Sequence, residues 1–209
     1  MAVVIAIDGP AASGKGTLAR RIAEEFGFHH LDTGLLYRAT AQSLLRSEIA
    51  LHDAEAAARA ARDLKPTDLS DPDLSSHSVG EAASRVAVIP EVRQALFELQ
   101  RGFAAREPGA VLDGRDIASV ICPDADVKLF VTASADVRAG RRHAEEQSRG
   151  KALSYNDVLT DIRQRDARDQ TRAVAPLKPA EDAHLIDTSE MDIETAFQTA
   201  LGIVNRALG

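Results

Sequence analysis

Short apolar runs alternate along this chain with longer stretches in which apolar residues return every three or four positions. The first run, Val3 to Ile7, is rich in β-branched residues and ends on the turn signal Asp8-Gly9-Pro10. It predicts a buried strand. From Thr17 the spacing changes, and Leu18, Ile22 and Phe26 fall at helical intervals. Phe28–Leu31 reads as a second strand, and Thr33 as the N-cap of a helix through Leu35, Leu36, Ala39, Leu44 and Leu45. The Ala-rich stretch His52–Leu64 predicts a further helix, and the Pro- and Asp-rich stretch 65–76 an irregular loop. Val79–Ile89 is helical, Pro90 breaks it, and a new helix runs to about Ala105 with Val92, Leu96, Leu99 and Phe103 on one side. Ala110–Asp113, Val127–Thr132 and His184–Asp187 predict three more strands, and Ile193–Leu208 a closing helix. Between the fourth and fifth strands lie two charged helices, Ser134 to about Arg149 and Ser154–Arg172. This order predicts an α/β fold, a mostly parallel five-stranded sheet with helices on both faces. Its ligand site belongs at the carboxyl ends of the strands.

Composition narrows the class. The 209 residues suit one domain, and with 44% hydrophobic but only 4% aromatic residues and no Trp the core is aliphatic. A net charge of −7 argues against a nucleic-acid surface. One cysteine, Cys122, excludes an internal disulfide and fits a reducing compartment. No apolar run approaches a membrane span, and the chain enters its first strand without a targeting segment. The expectation is a soluble, cytoplasmic monomer with neither nucleic-acid nor membrane partners.

The candidate chemistry starts between the first strand and the first helix. Gly9, Pro10, Ala11, Ala12, Ser13, Gly14, Lys15, Gly16 and Thr17 form a G-x-x-x-x-G-K loop. Glycines let backbone N–H groups approach a polyphosphate, the helix start adds partial positive charge, and the lysine reaches the outer phosphates. Gly16 stands where the common motif has Ser or Thr, and the hydroxyl comes one place later, at Thr17. A magnesium ion should therefore be held largely by phosphates and water, with Thr17 and Asp113 as candidates for holding that water. Asp113 ends the third strand, and Arg115 and Asp116 follow, placed to face an anionic substrate. Ser84 and Arg93 flank the break at Pro90. His29 and His30, adjacent in a strand, point to opposite faces and predict ordinary packing and solvent contact.

The two charged helices carry Arg138, Arg141, Arg142, Arg149, Arg165, Arg168 and Arg172. A solvated hairpin laced with pairs such as Asp161–Arg165 and Arg165–Asp169 is one reading. The other, favoured by the nearby phosphate loop, is a mobile lid whose guanidinium groups close over phosphates.

Six segments together resemble the bacterial cytidylate kinase family: IDGPAASGKGT at 7–17, LDTGLLYR at 31–38, SRVAVIPEVRQAL at 84–96, LDGRDI at 112–117, PDADVKLFVTAS at 123–134 and RQRDARDQTRAVAPL at 163–177. The likeness covers nearly the whole chain, and its DGRD and R-D-x-R-D-x-x-R-A-x-A-P elements are more specific than the loop. It implies transfer of the ATP γ-phosphoryl group to CMP or dCMP, in pyrimidine nucleotide metabolism, on a P-loop nucleoside monophosphate kinase fold. One domain over 1–209 would have its core at 1–34, 107–134 and 175–209, a monophosphate-binding region at 35–106 and lid helices at 135–174. By the same resemblance Gly9–Thr17 bind ATP with magnesium, and Lys15, Arg115, Asp116 and Arg172 form the catalytic group. Arg38, Arg115 and Arg172 hold the CMP phosphate; Ser84, Arg93 and Asp116 read the cytosine edge; Arg165 and Asp169 serve the sugar. Thr33, a serine in many relatives, and Tyr37 lie near the substrate, and Arg141, Arg142 and Arg149 belong to the lid. The segment from about Ile49 to Ser78 is shorter than in many bacterial members.

Two other classes share the phosphate loop. A P-loop kinase of an alcohol, shikimate-like or sugar-acid-like, would need a general base near its acceptor. A GTPase-like switch would carry N-K-x-D, and the chain has no such motif.

Overall fold

The computed structural model describes residues 2–150 and 152–209. Five strands, β1 (Val3–Asp8), β2 (His29–Asp32), β3 (Gly109–Gly114), β4 (Val127–Thr132) and β5 (His184–Asp187), form one sheet in the order β2-β3-β1-β4-β5. Every pairing is parallel. The helices are α1 (Lys15–Phe26), α2 (Thr33–Arg46), α3 (Ala54–Arg62), α4 (His77–Val86), α5 (Pro90–Ala104), α6 (Ala135–Ser148), α7 (Tyr155–Thr171) and α8 (Ile193–Leu208).

The central strand shows why both faces are covered. Ile5 and Ile7 point to one side, into a core with Leu18 and Ile22 of α1 and Phe197 of α8. Ala6 points to the other, among residues of α2 to α5. All three are fully buried, so period-two alternation meets apolar partners on both sides of the sheet. A separate small cluster, Ala139, Val158 and Ile162, joins α6 to α7.

Several expectations shift by local physics. The cap of α2 is Asp32, whose side chain accepts from Gly34 N at 2.9 Å. Thr33, expected there, turns inward and donates its hydroxyl to the Asp113 carbonyl at 2.8 Å. A carboxylate caps as well as a hydroxyl, which frees the threonine to bind β3. Leu45 and Leu99 lie outside the apolar faces predicted for their helices, 42% and 40% exposed. The stretch 65–76 is built of two short turns, Pro66–Ser70 and Pro72–Ser75, and buries Leu74 against Ala39 and Val79. Among the described residues no helix is long and apolar enough to cross a membrane.

Candidate active site

The carboxyl ends of β1 and β3 open onto a cavity of about 320 Å³, lined by Ala11–Thr17 with Asp32, Arg38, Asp113, Arg115, Arg142 and Arg165. Gly9 leaves β1 with φ of 155°, and a Cβ there would lie 2.0 Å from the Val131 carbonyl oxygen. Only glycine lets the loop leave the sheet at that point. The start of α1 has no side-chain cap, because Gly14 precedes it in a left-handed conformation. Its first N–H groups therefore face the cavity, a natural anion site. Lys15 contacts the Pro10 carbonyl at 3.4 Å. Burial, helped by the charge of Arg115, pushes its ammonium down to about 8.

Two acids share this wall. Asp32 and Asp113 are opposite one another in the β2–β3 register. Burial first, then the charge of Asp113, raises the carboxyl of Asp32 above the usual range. A Cβ at Gly16 would lie 3.6 Å from Asp113 Oδ2, so the missing hydroxyl of the common motif opens space beside that carboxylate. Among the described residues there is no cluster of three or more acids, histidines or cysteines that could hold a metal unaided. The pair suits an ion that arrives with phosphates and keeps its water. His29 behaves as expected, exposed and edge-on to Phe103. His30 does not: its Nε2 lies 2.9 Å from Asp113 Oδ1.

A second, smaller cavity of about 40 Å³ adjoins the first and shares Gly34, Arg115 and Arg165 with it. Thr33, Tyr37, Ser84, Arg93, Asp116, Asp169 and Arg172 complete its wall. Asp116 is buried between two guanidinium groups, in direct contact with Arg93 and 3.4 Å from Arg172 Nη2. Arg93 also donates to the Tyr37 hydroxyl at 3.3 Å. Arg172 thus lines the second cavity beside Asp116. The reason is local: it is the C-cap of α7, and its Nε is held by the Ala175 carbonyl where the backbone turns away.

Arg165 reaches both cavities. Burial and the charge of Arg115 push its guanidinium down to about 9, and among the described residues its Nε has no hydrogen-bond partner. That is an unstable arrangement for a cation unless an anion arrives. Arg115 is held from the other side by Asp169, Nε to Oδ2 at 2.9 Å. Burial alone would raise Asp169, but Arg115 and Arg165 outweigh it and hold the carboxyl below its ordinary value. Arg38 lines the first cavity and donates to the Leu74 and Ser76 carbonyls at 2.6 and 3.2 Å.

The helical hairpin α6–α7 divides its arginines between structure and site. Arg138 forms a bidentate pair with Asp166, at 3.0 and 2.6 Å, which ties the hairpin together. Arg142 and Arg149 reach the Ser75 carbonyl at 3.4 and 3.1 Å. Arg168 grips Glu81 at 2.7 Å and donates from Nε to Ser84 Oγ at 3.1 Å, and His77 meets Asp161 at 3.1 Å. The ion pairs of Asp161 and Asp169 therefore run across elements, to His77 and Arg115. Within α6, in contrast, Arg142 and Arg149 pair along the helix with Glu145 and Glu146, as a solvated hairpin would.

Arg168→Met removes the clamp between α7 and α4. A partly exposed pair of this kind contributes about 1 kcal/mol at most. The variant is expected to melt roughly 2–4 °C lower at most, and thermal unfolding of the two proteins checks this.

Sequence reasoning missed three features. Asp8, buried, accepts from Ile117 N and Ala118 N at 2.8 Å each and anchors the segment after Asp116 to the end of β1. Burial pushes its carboxyl up to about 7, against those two donors. A third cavity, about 330 Å³, lies beside the loop between α1, Arg141 and the residues after β5, among them Thr188, Met191 and Asp192. Arg141 is fixed there by the Thr188 carbonyl at 2.8 Å and hydroxyl at 3.0 Å. An acid ending an apolar strand was a signal for Asp8; nothing local marks Thr188. His30 is the third.

Converging cations around an open helix start, on an all-parallel sheet, serve transfer of a phosphoryl group. The fold and site define a P-loop phosphotransferase. Comparison with known proteins narrows the class. The family model described as cytidylate kinase matches residues 5–206, and the chain belongs to that family. It is 59% identical to the cytidylate kinase of Rhizobium meliloti (strain 1021), over 100% of this chain and 98% of that protein. It is 60% identical to that of Methylocella silvestris, over 98% and 95%. Solved structures match the fold alone: an uncharacterized protein from Eubacterium ventriosum, with TM-score 0.57 and 15% identity over 97% and 98% of the two chains; and a sugar kinase from Janibacter, with TM-score 0.52 and 14% identity over 98% and 95%.

Proposed function

We propose that this protein transfers the γ-phosphoryl group of ATP to CMP and dCMP, giving CDP and dCDP, by direct in-line displacement. The observation that carries this is the pair of adjoining cavities joined by Arg115 and Arg165, one at the phosphate loop and one ending on Asp116. Two anions can meet at the shared arginines, and a carboxylate faces whatever ring follows the second anion.

The roles follow from position. The triphosphate lies along Gly9–Thr17 with Lys15 on the transferring group, and its nucleoside end occupies the third cavity beside Arg141. Arg38, Arg115 and Arg172 take the acceptor phosphate, with Arg165 beside them toward the sugar. Ser84, Arg93 and Asp116 surround the base, and Arg172, 3.4 Å from Asp116 in the same cavity, reaches the phosphate from that side. Asp169 stands between the two sets and serves the sugar. Magnesium would enter with ATP, its water held by Asp113 and Asp32, and would neutralise charge on the phosphates.

The acceptor is already an anion with a free lone pair, so the enzyme needs no strong general base. Its task is to align the two anions, exclude water and spread cationic charge over the equatorial oxygens. At about 40 Å³ the base cavity holds only a few waters. CMP therefore enters with α6–α7 lifted, and closure brings Arg165 and Asp169 onto it. In this reading residues 1–34, 107–134 and 175–209 are the core, 35–106 the monophosphate-binding region and 135–174 the lid. A monomeric, cytoplasmic enzyme is the state proposed, and the buried free thiol of Cys122 suits that reducing compartment. The test is an acceptor panel with ATP and magnesium: CMP, dCMP, UMP, AMP and GMP, with ADP release measured. CMP and dCMP should lead, and turnover of an alcohol such as shikimate in their place would reject the proposal.

A further inference from the structure

We infer that His30 is a positioning residue for Asp113, holding its carboxylate in the orientation that serves the metal-bound water of ATP; this rests on the function proposed above. Strand geometry sets the arrangement. His30 and Asp32 lie two apart on β2 and so share a face, and Asp113 is the partner of Asp32 across the ladder. His30 thus sits diagonally opposite Asp113, within reach of a long side chain. Its Nε2 is 2.9 Å from Asp113 Oδ1, with 20% and 3% of the two side chains exposed.

The two oxygens of that carboxylate have different surroundings. Oδ1 meets the imidazole, while Oδ2 lies toward Gly16 of the phosphate loop, 3.6 Å from where a Cβ there would sit. The backbone of Asp113 is fixed as well, since its carbonyl accepts from Thr33 Oγ1 at 2.8 Å. An ionised carboxylate only accepts hydrogen bonds, so the ring carries a proton on Nε2 and donates it. Without that donor, Asp113 is left with two electrostatic neighbours, the charge of Asp32, which repels it, and the ammonium of Lys15, which attracts it. It would swing toward the lysine, taking charge from the phosphates and turning Oδ2 away from the water it should hold. Groups that orient a carboxylate beside a metal typically cost about 10- to 100-fold in metal affinity or activity when removed.

The experiment compares His30→Leu, which removes the donor at similar size, with His30→Gln, whose amide restores one at similar reach. Binding of Mn(II) to the enzyme–ADP complex is followed by electron paramagnetic resonance, which needs no turnover. Half-saturation by free magnesium is measured at saturating ATP and CMP, and melting temperature for the free proteins. His30→Leu should weaken Mn(II) binding and raise the magnesium half-saturation by about tenfold, leave the KM for CMP unchanged, and be largely rescued by His30→Gln. Unchanged Mn(II) binding in His30→Leu, whether or not the melting temperature falls, overturns the inference, as does an equal loss in both variants. Should His30→Leu fail to fold, His30→Asn, too short to reach, takes its place with the same expectations. Wild-type protein that binds neither ADP nor Mn(II) would instead remove the functional reading underneath.

Discussion

Lys15→Met is expected to lower kcat by about 10³-fold, equivalent to roughly 4 kcal/mol of transition-state stabilisation, while making the ligand-free protein more stable. Both effects come from one buried charge. The ammonium is aimed at the place where charge spreads over the transferring phosphoryl group, and methionine fills the same space without it. In the empty protein that ammonium is poorly solvated and lies near Arg115, which together push it down to about 8. The folded state therefore binds the proton less tightly than the unfolded state. That cost is fully present below about pH 8 and fades as pH rises toward the ordinary lysine value of 10.5. Removing it should stabilise by up to about 3 kcal/mol at pH 7, each kcal/mol being worth roughly 2–4 °C in melting temperature for a chain of this size. The advantage should shrink between pH 8 and 10.5. The same ionisation controls catalysis: kcat/KM for ATP in the wild type should fall above about pH 8, up to tenfold per unit, because the free enzyme then lacks the charge. Thermal melts and initial rates across pH check both halves, and an unchanged rate in the variant would remove the mechanism.

Asp116→Ala should collapse the choice between cytosine and uracil. The cytosine edge offers an exocyclic amine to a carboxylate; uracil offers a carbonyl oxygen, which the carboxylate repels. A buried hydrogen-bonding group discriminates strongly because the wrong ring leaves it unpaired. The ratio of kcat/KM for CMP to that for UMP is expected to fall by about 10²-fold or more, with the KM for ATP unchanged. The substitution also strands Arg93 and Arg172, which now share the carboxylate, and breaking such a buried pair costs about 3–5 kcal/mol. Asp116→Asn separates specificity from folding. Its carbonyl can still accept from one guanidinium while its amide donates toward the base, so this variant should shift preference toward UMP. Equal losses for CMP and UMP in both variants would reject the base-reading role of Asp116.

Where the chemistry depends on residues close in sequence, the chain could be read directly. The phosphate loop is legible because strand, glycines, lysine and helix are consecutive and each has a local physical requirement. The strands β4 and β5 and the helix α8 fall on their expected residues because their apolar periods are uninterrupted. The cap of α2 was misplaced by one residue because Asp32 and Thr33 both suit the position, and only β3, approaching from a distant part of the chain, recruits the threonine.

The arginines divide the two kinds of knowledge most clearly. Their number and their crowding between β4 and β5 are properties of the sequence, and so is the prediction that some must face phosphate. The partner that each meets is not: Arg138 pairs with Asp166, Arg168 with Glu81, Arg115 with Asp169, and Arg172 with Asp116 and the Ala175 carbonyl. Arg165 lies beside the cavities, and among the described residues its Nε meets no hydrogen-bond partner. His30 follows the same rule, since a period of two names its face but not the carboxylate across the ladder. By itself the sequence determined the element order, the parallel sheet and the phosphate cradle, because these rest on local periodicity and backbone freedom. Only the tertiary structure decided which charges pair off and which remain for a ligand, because such pairing is set by distances across the fold that no local pattern encodes.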